Sequence, residues 1–361
     1  MGSRLRRASC ASPQQVAAQS FAQPGGMDVP RTYSGGRPYP IPAGVFAGRM
    51  TPVTRTAPGN LANVAARIQA LPACQTRLTV PQRTLEAALA SGRARRMLPG
   101  RFVAVPQGLD EMDKFAQQGF WEGARISAAL YTLRGNETLS HSSAGYLWGF
   151  PSLVRDGLVH ITTQNGKNRR RKGHRIHQLH LPDAHRERVL EVSLTDLPRT
   201  AIDLASICRP GLGLAALDFA RGEGVSIREL EERVDAAHLR NPNRLLRLIA
   251  QSVANSDSVP ESEARYWLIA AGIGAVHTQY RVATRSGTFY LDAAIPELKL
   301  ACEYDGESKY NSREDLLREK RREDAIRELG WDFIRLTARD LRAPDQLVRV
   351  LRARAERRRG R

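Results

Sequence analysis

"LKLACEYDG", residues 298–306, sets an apolar run against two carboxylates placed two positions apart, Glu303 and Asp305. In a β-strand alternate side chains share a face. Leu298, Leu300, Cys302 and Tyr304 would line one face, and Lys299, Ala301, Glu303 and Asp305 the other. Two like charges at the end of a buried strand repel each other and resist leaving water, so solvent, a basic partner or a metal ion must compensate.

The surrounding sequence supplies the rest of a small α/β unit. "PESEARYWLIAAG" reads as a helix with proline in its first turn and a stop at Gly272. "TQYRVA", "TFYLDAAI" and "LKLACEYDG" read as successive strands, turned at Arg285–Ser286–Gly287 and at Pro296–Glu297. "REDLLREKRREDAIRELG" reads as a charged helix, "WDFIRLTARDL" as a fourth strand, and a basic helix closes the order α-β-β-β-α-β-α. In "TFYLDAAI", Tyr290, Asp292 and Ala294 share a face, so a hairpin about Pro296 brings Asp292 beside Glu303. Glu261 on the preceding helix would join them. Converging carboxylates of this kind are what a hard divalent cation such as Mg²⁺ requires, and the bound ion would activate water against a phosphate. The competing reading is a salt bridge from Glu303 or Asp305 to Arg318, Arg322 or Lys309.

"PESEAR", "TFYLDAAIPELKLACEYDGESKY" and "LREKRREDAIRELGWDFIRLTARDL", in this order over roughly residues 258–345, resemble the Vsr-like (very-short-patch-repair) endonuclease family, in its bacterial E-x-D-G branch. That resemblance implies a PD-(D/E)XK fold, a hydrolase activity on phosphodiesters, and metal-binding positions at Glu261, Asp292, Glu303 and Asp305. Arg322 and Gly330–Trp331 match further family positions. The lysine of the broad pattern is replaced by Asp305, a histidine a few residues later is replaced by Lys309, and a customary Asp on the next helix is Glu319. Lys309 or Lys320 would then supply the cation that stabilises charge on the phosphate.

The chain as a whole has 361 residues and a formal net charge of +18, with 42% hydrophobic and 25% charged residues. That is room for two or three domains, and the charge excess points to a polyanionic partner, nucleic acid above all. The four cysteines (Cys10, Cys74, Cys208, Cys302) show no C-x-x-C spacing, so neither a disulfide framework nor a cysteine zinc site is expected. No apolar run approaches the roughly 18 residues of a membrane span, and the first residues lack a signal-peptide core. A cytoplasmic protein without membrane contact is expected.

Residues 1–60 are rich in Pro and Gly and read as a disordered tail. Residues 61–107 read as helix, helix (Arg83–Ala90) and a hairpin, Arg96–Leu98 with Phe102–Val105 around Pro99–Gly100. This pattern suggests a winged helix-turn-helix, with Arg95, Arg96 and Arg101 placed to meet nucleic acid. Residues 108–256 read as a helical and β middle region with a helical connector, and 257–361 as the nuclease-like domain. Within the middle region, "GLVHITTQ" and "GHRIHQLHL" read as strands flanking the loop "NGKNRRRKG", whose Lys167, Arg169, Arg170, Arg171 and Lys172 would form a phosphate-contacting finger. The spacing of His174, His177, His180 and His185 would suit a metal, but no Cys or paired carboxylate completes the set, and they read as a surface cluster. "LTDLPRTAIDLA" reads as a helix capped by Thr195 or Asp196, and Ser226 with Glu229 as a capping box.

"ALASGRARRMLPGRFVAVP", "TLSHSSAGYLWGF" and "LTDLPRTAIDLA" are similar to the AbiEi-type antitoxin and transcriptional-regulator family. That resemblance, over about residues 60–210, implies a winged-helix DNA-binding front end, double-stranded DNA as partner and, in toxin–antitoxin systems, a cognate toxin. The expected architecture is therefore α+β and multidomain: a winged helix-turn-helix and a helical/β middle region, followed by a restriction-endonuclease-like α/β domain. Two functions follow from it: a DNA-binding, Mg²⁺-dependent endonuclease, or a non-catalytic DNA-binding antitoxin or repressor that retains a nuclease-like fold.

Overall fold

The computed structural model describes residues 58–164, 169–239, 241–305 and 313–360. Most of the expected tail, together with Lys167 and Lys309, lies outside the described residues. The chain is mixed α+β and divides into two compact units, residues 1–195 and 196–361. The described residues contain twelve α-helices and three sheets.

The first unit begins with α1 (Pro58–Gln69), β1 (Cys74–Thr76), α2 (Gln82–Ala90), β2 (Ala94–Leu98) and β3 (Arg101–Ala104). The three strands form an antiparallel sheet in the order β1-β3-β2. Val80, Leu85 and Phe102 make its small core, with Leu89 packed against them. The β2–β3 hairpin turns at Pro99–Gly100, and Gly100 takes φ +69°, a conformation open to glycine at little cost. The expected helix and hairpin are thus present, each within two residues of its expected bounds.

Next come α3 (Lys114–Leu130), β4 (Thr138–Leu139), α4 (His141–Trp148), β5 (Val159–Thr163), β6 (Arg169–Arg171), β7 (His174–Gln178), β8 (Arg186–Val189) and β9 (Val192–Thr195). Asp113 starts α3 by accepting from the backbone N–H groups of Phe115 and Ala116. Gly123 on α3 sits so close to Tyr146 of α4 that a side chain there would overlap its hydroxyl. The six strands form a mixed sheet, β6-β7-β5-β4-β9-β8. One expectation is corrected here. Arg169, Arg170 and Arg171 are not loop residues: they pair with Ile176, Arg175 and His174 as the edge strand β6, turned by Gly173 at φ +76°. Arginines suit an edge strand, because charge there discourages pairing with another chain.

The second unit opens with four helices, α5 (Leu197–Ile207), α6 (Pro210–Gly222), α7 (Ile227–Ala237) and α8 (Pro242–Gln251). Asp196 caps α5 through a 2.7 Å bond from Arg199 N, and Ser226 with Glu229 forms the expected capping box on α7. Arg199 and Asp203, one turn apart on α5, make an ion pair with no exposed side-chain surface. Asp218 on α6 accepts from Ser262 and Arg265 of the next helix in a second buried network.

That next helix is α9 (Val259–Ala271), followed by β10 (His277–Thr284), β11 (Gly287–Ile295), β12 (Leu300–Tyr304), α10 (Arg313–Glu328), β13 (Asp332–Leu336), α11 (Ala338–Leu341) and α12 (Pro344–Arg359). The sheet runs β10-β11-β12-β13, antiparallel except for the parallel β12–β13 pair that α10 connects. All four strands match the sequence expectation, but "TARDL" leaves the sheet. Thr337 and Asp340 cap each other, so the chain turns into the short helix α11. Leu300, Cys302, Ile334 and Leu336 face α9 and α12, whereas Ala294, Ala301 and Phe333 face Ile326 of α10. Among the described side chains of α10 only Ala325 and Ile326 are buried. Full burial of one isoleucine contributes about 1.5–3 kcal/mol, and ion pairs from Arg322, Glu319 and Glu323 add to the hold of α10 on the sheet.

Candidate functional site

The α10-facing side of this sheet carries the acids. Ala301 and Glu303 alternate on β12, and the β11–β12 register that pairs Ala293 with Cys302 continues to Asp292 opposite Glu303. In parallel register Glu303 pairs with Arg335 of β13. Glu303 is 3% exposed. Burial pushes its carboxyl pKa up, Arg322 works against that shift, and the neighbouring charges of Asp292 and Glu319 add to it.

Arginines answer most of this negative charge. Arg322 Nη2 of α10 donates to Glu303 Oε1 at 2.5 Å, and the same side chain holds Glu319 at 2.9 and 3.0 Å. Arg335 reaches Asp305 at 3.3 Å, Glu319 at 3.1 Å and Glu323 at 2.8 Å. The salt-bridge reading of Glu303 and Asp305 therefore describes one oxygen of each. Their second oxygens, Glu303 Oε2 and Asp305 Oδ1, are buried with no hydrogen-bond partner among the described residues. A buried, unanswered carboxylate oxygen on each of two strand-end acids is a donor set suited to a hard cation. Among the described residues, however, no trio of these carboxylates has its oxygens within 4.8 Å of one another. The donors fit Mg²⁺ in kind, and closing them round it requires side-chain rotation away from Arg322 and Arg335.

Glu261 does different work. Its carboxylate accepts from Ser258 Oγ at 2.8 Å and Asp257 N at 3.2 Å, fastening the start of α9. Lys320 is exposed on α10.

In the first unit the hairpin arginines are spread over aromatic rings. Arg95 lies 4.7 Å from the centre of Trp121, Arg96 5.5 Å from Phe102, and Arg101 5.5 Å from Tyr131. Such stacking orients a guanidinium without neutralising it. Arg95 and Arg96 share a cleft with Trp121, Arg125, Leu98 and Gly173. Leu98 of β2 fits against Gly173 so closely that a Cβ there would overlap its methyl group. Of the expected finger, Arg171 is tied to Glu137 by two 3.1 Å bonds, and Lys172 is exposed.

The histidine expectation is corrected. His174 and His185 are 2% and 3% exposed, not surface residues. His174 is inward because β7 alternates: its ring meets Thr132 Oγ1 at 3.0 Å and Lys172 O at 3.0 Å. His177 instead joins His141 and His160, and one ligand-capable atom from each lies within 4.8 Å of the others. Burial, with His160 and Arg175 nearby, lowers the His177 pKa to about 3. These three histidines come from α4, β5 and β7 and are 19 and 17 positions apart, so no local spacing reveals them. Only the pairing of β5 with β7, which sets Thr162 opposite His177, brings two of them side by side.

Among the described residues no helix is long and apolar enough to cross a membrane. No protein-family model matches the chain. It is similar to two proteins of Mycobacterium tuberculosis, "Uncharacterized protein MT2308" of strain CDC 1551 / Oshkosh and "Uncharacterized protein Rv2248" of strain H37Rv. Each is 27% identical over 221 residues, covering 60% of this chain and 80% of the relative.

Proposed function

We propose that this chain is a DNA-binding protein whose second unit hydrolyses phosphodiester bonds with Mg²⁺. The observation that carries the reading is the pair of buried oxygens on Glu303 and Asp305 that no described residue answers, with Asp292 on the neighbouring strand and Arg322 of α10 against Glu303. Asp292, Glu303 and Asp305 would hold the ion, which when bound polarises the phosphodiester and makes water a nucleophile near neutral pH. Arg322 and Arg335 would swing from the carboxylates to the entering phosphate, exchanging one anion for another at little electrostatic cost. Lys309, which stands where the Vsr-like family often has a histidine, and the exposed Lys320 would offer further positive charge. Arg95, Arg96, Arg101, Arg171 and Lys172 would hold the duplex by its backbone. Winged-helix and PD-(D/E)XK architectures for the two units belong to this reading.

Plasmid DNA with Mg²⁺ tests it. Cleavage by the wild-type chain that is lost in both Glu303→Ala and Asp292→Ala is the expected result. Absence of cleavage by wild type across divalent ions and substrates would overturn the catalytic half.

The arginine pairing of Glu303 and Asp305 favours a second reading. In it the acids are structural, and the chain is a non-catalytic DNA-binding repressor or antitoxin with a cognate toxin as partner. Salt-sensitive DNA binding that survives both acid substitutions, with no cleavage, selects it.

A further inference from the structure

We propose that His141, His160 and His177 of the first unit form a binding site for a transition-metal dication, with Zn²⁺ the best match. Imidazole nitrogens suit Zn²⁺ and its first-row neighbours, whereas Mg²⁺ prefers oxygen. The site is separate from the carboxylates of the second unit and does not depend on the nuclease reading.

Two of the three rings, His141 and His160, are already directed by a second contact. His160 Nε2 faces Asp156 Oδ2 at 3.1 Å, the carboxylate–histidine arrangement that fixes a metal ligand's tautomer. This leaves His160 Nδ1 as the lone-pair donor, and it lies 3.1 Å from His177 Nε2. Two imidazole nitrogens on one tetrahedral zinc, with Zn–N near 2.0–2.1 Å, are about 3.3 Å apart. A small rotation of the His177 ring would therefore replace a shared proton by a shared ion. His141 stacks on His177, with ring centres 3.7 Å apart and planes 15° from parallel. Its Nδ1 is 2.9 Å from Ser140 Oγ, which can accept the Nδ1 proton and so present Nε2 as the third ligand atom. Ser140 is itself fixed by a 2.8 Å bond from Thr162.

Two further observations favour a ligand site over ordinary core packing. His141 starts α4 at φ +48°, a left-handed conformation that costs a non-glycine residue energy and marks a position set for its side chain. His141 and His160 are 1% and 0% exposed. His177 is only part-buried, so an ion and one completing water have a way in. Three protein ligands with a fourth position left for solvent is the pattern of zinc sites that remain open.

The test uses the tag-free full chain, stripped with chelator and titrated with Zn²⁺ in competition with a chromophoric chelator. Co²⁺ serves as the spectroscopic probe. The expected result is one equivalent of Zn²⁺, loss of that equivalent in His177→Gln, and 10–100-fold weaker binding in Asp156→Asn. Co²⁺ should give visible bands typical of tetrahedral nitrogen coordination, with both variants retaining the wild-type circular dichroism. His177 is part-buried, which makes its replacement the least disruptive of the three. No stoichiometric uptake by wild type would overturn the proposal. So would uptake that survives His177→Gln and vanishes in Glu303→Gln, which would place the ion on the carboxylates.

Discussion

Arg322 Nη2 donates to Glu303 Oε1 at 2.5 Å, so the most deeply buried acid of the second unit's sheet is held, among the described residues, by one guanidinium from α10. Removing the arginine leaves a desolvated carboxylate; removing the acid leaves an arginine that Glu319 still holds. Breaking a buried pair from one side costs about 3–5 kcal/mol. Arg322→Gln should therefore destabilise toward the upper part of that range, Glu303→Gln less. The double variant should recover part of the loss, with a coupling of about 0.5–3 kcal/mol. Urea unfolding of the three variants checks this, and strict additivity would contradict it.

Arg199 and Asp203 give a cleaner case, since neither side chain is exposed. Asp203→Ala should destabilise by about 3–5 kcal/mol, while the apolar exchange Arg199→Met with Asp203→Leu should come out near neutral or better. Thermal denaturation of both variants separates a pair held for stability from one held for the uniqueness of the α5 packing.

Glu122 predicts a pH dependence. It sits on α3 with Arg125, facing Ser152, Asp156 and Tyr146. Burial raises its pKa from 4.5 to about 7, against the pull of Arg125 and Ser152. Between those pH values the native chain keeps a proton that the unfolded chain has released. Its contribution to stability is therefore complete below about 4.5 and is lost as pH rises through about 7. Glu122→Gln, which cannot ionise, should gain stability relative to wild type on going from pH 5 to pH 8, by on the order of 1–3 kcal/mol. Denaturant midpoints at the two pH values are the measurement, and an unchanged difference would refute it.

If the hairpin arginines meet DNA phosphates, each substitution should flatten the salt dependence. Arg95→Ala, Arg96→Ala and Arg101→Ala should each weaken binding about equally across sequences and reduce the log–log salt slope by about 1. Fluorescence anisotropy over a salt series would read this. A change at one sequence alone would instead assign that arginine to base contact.

The strands of the second unit are legible because strong turn signals bound each apolar stretch, and Asp292 and Glu303 are legible as neighbours because Pro296 turns the chain between their strands. The arginines that answer those acids were only partly legible. Arg322 stands among the cations of a helix that presents charge on nearly every side, and Arg335 sits on a strand whose register with β12 follows from a parallel crossover. The strand at Arg169–Arg171 was hidden because three arginines carry no apolar period; only the partner strand β7 defines it. His141, His160 and His177 were hidden by separation, since their meeting depends on β5 lying beside β7 with no hairpin between them.

The contact of Leu98 with Gly173 has a mechanical consequence. It seats the tip of one cationic hairpin directly on the turn of another, with no room for a side chain between. Neither ribbon can tilt without levering its neighbour, so the two hairpins are coupled mechanically and move as one body.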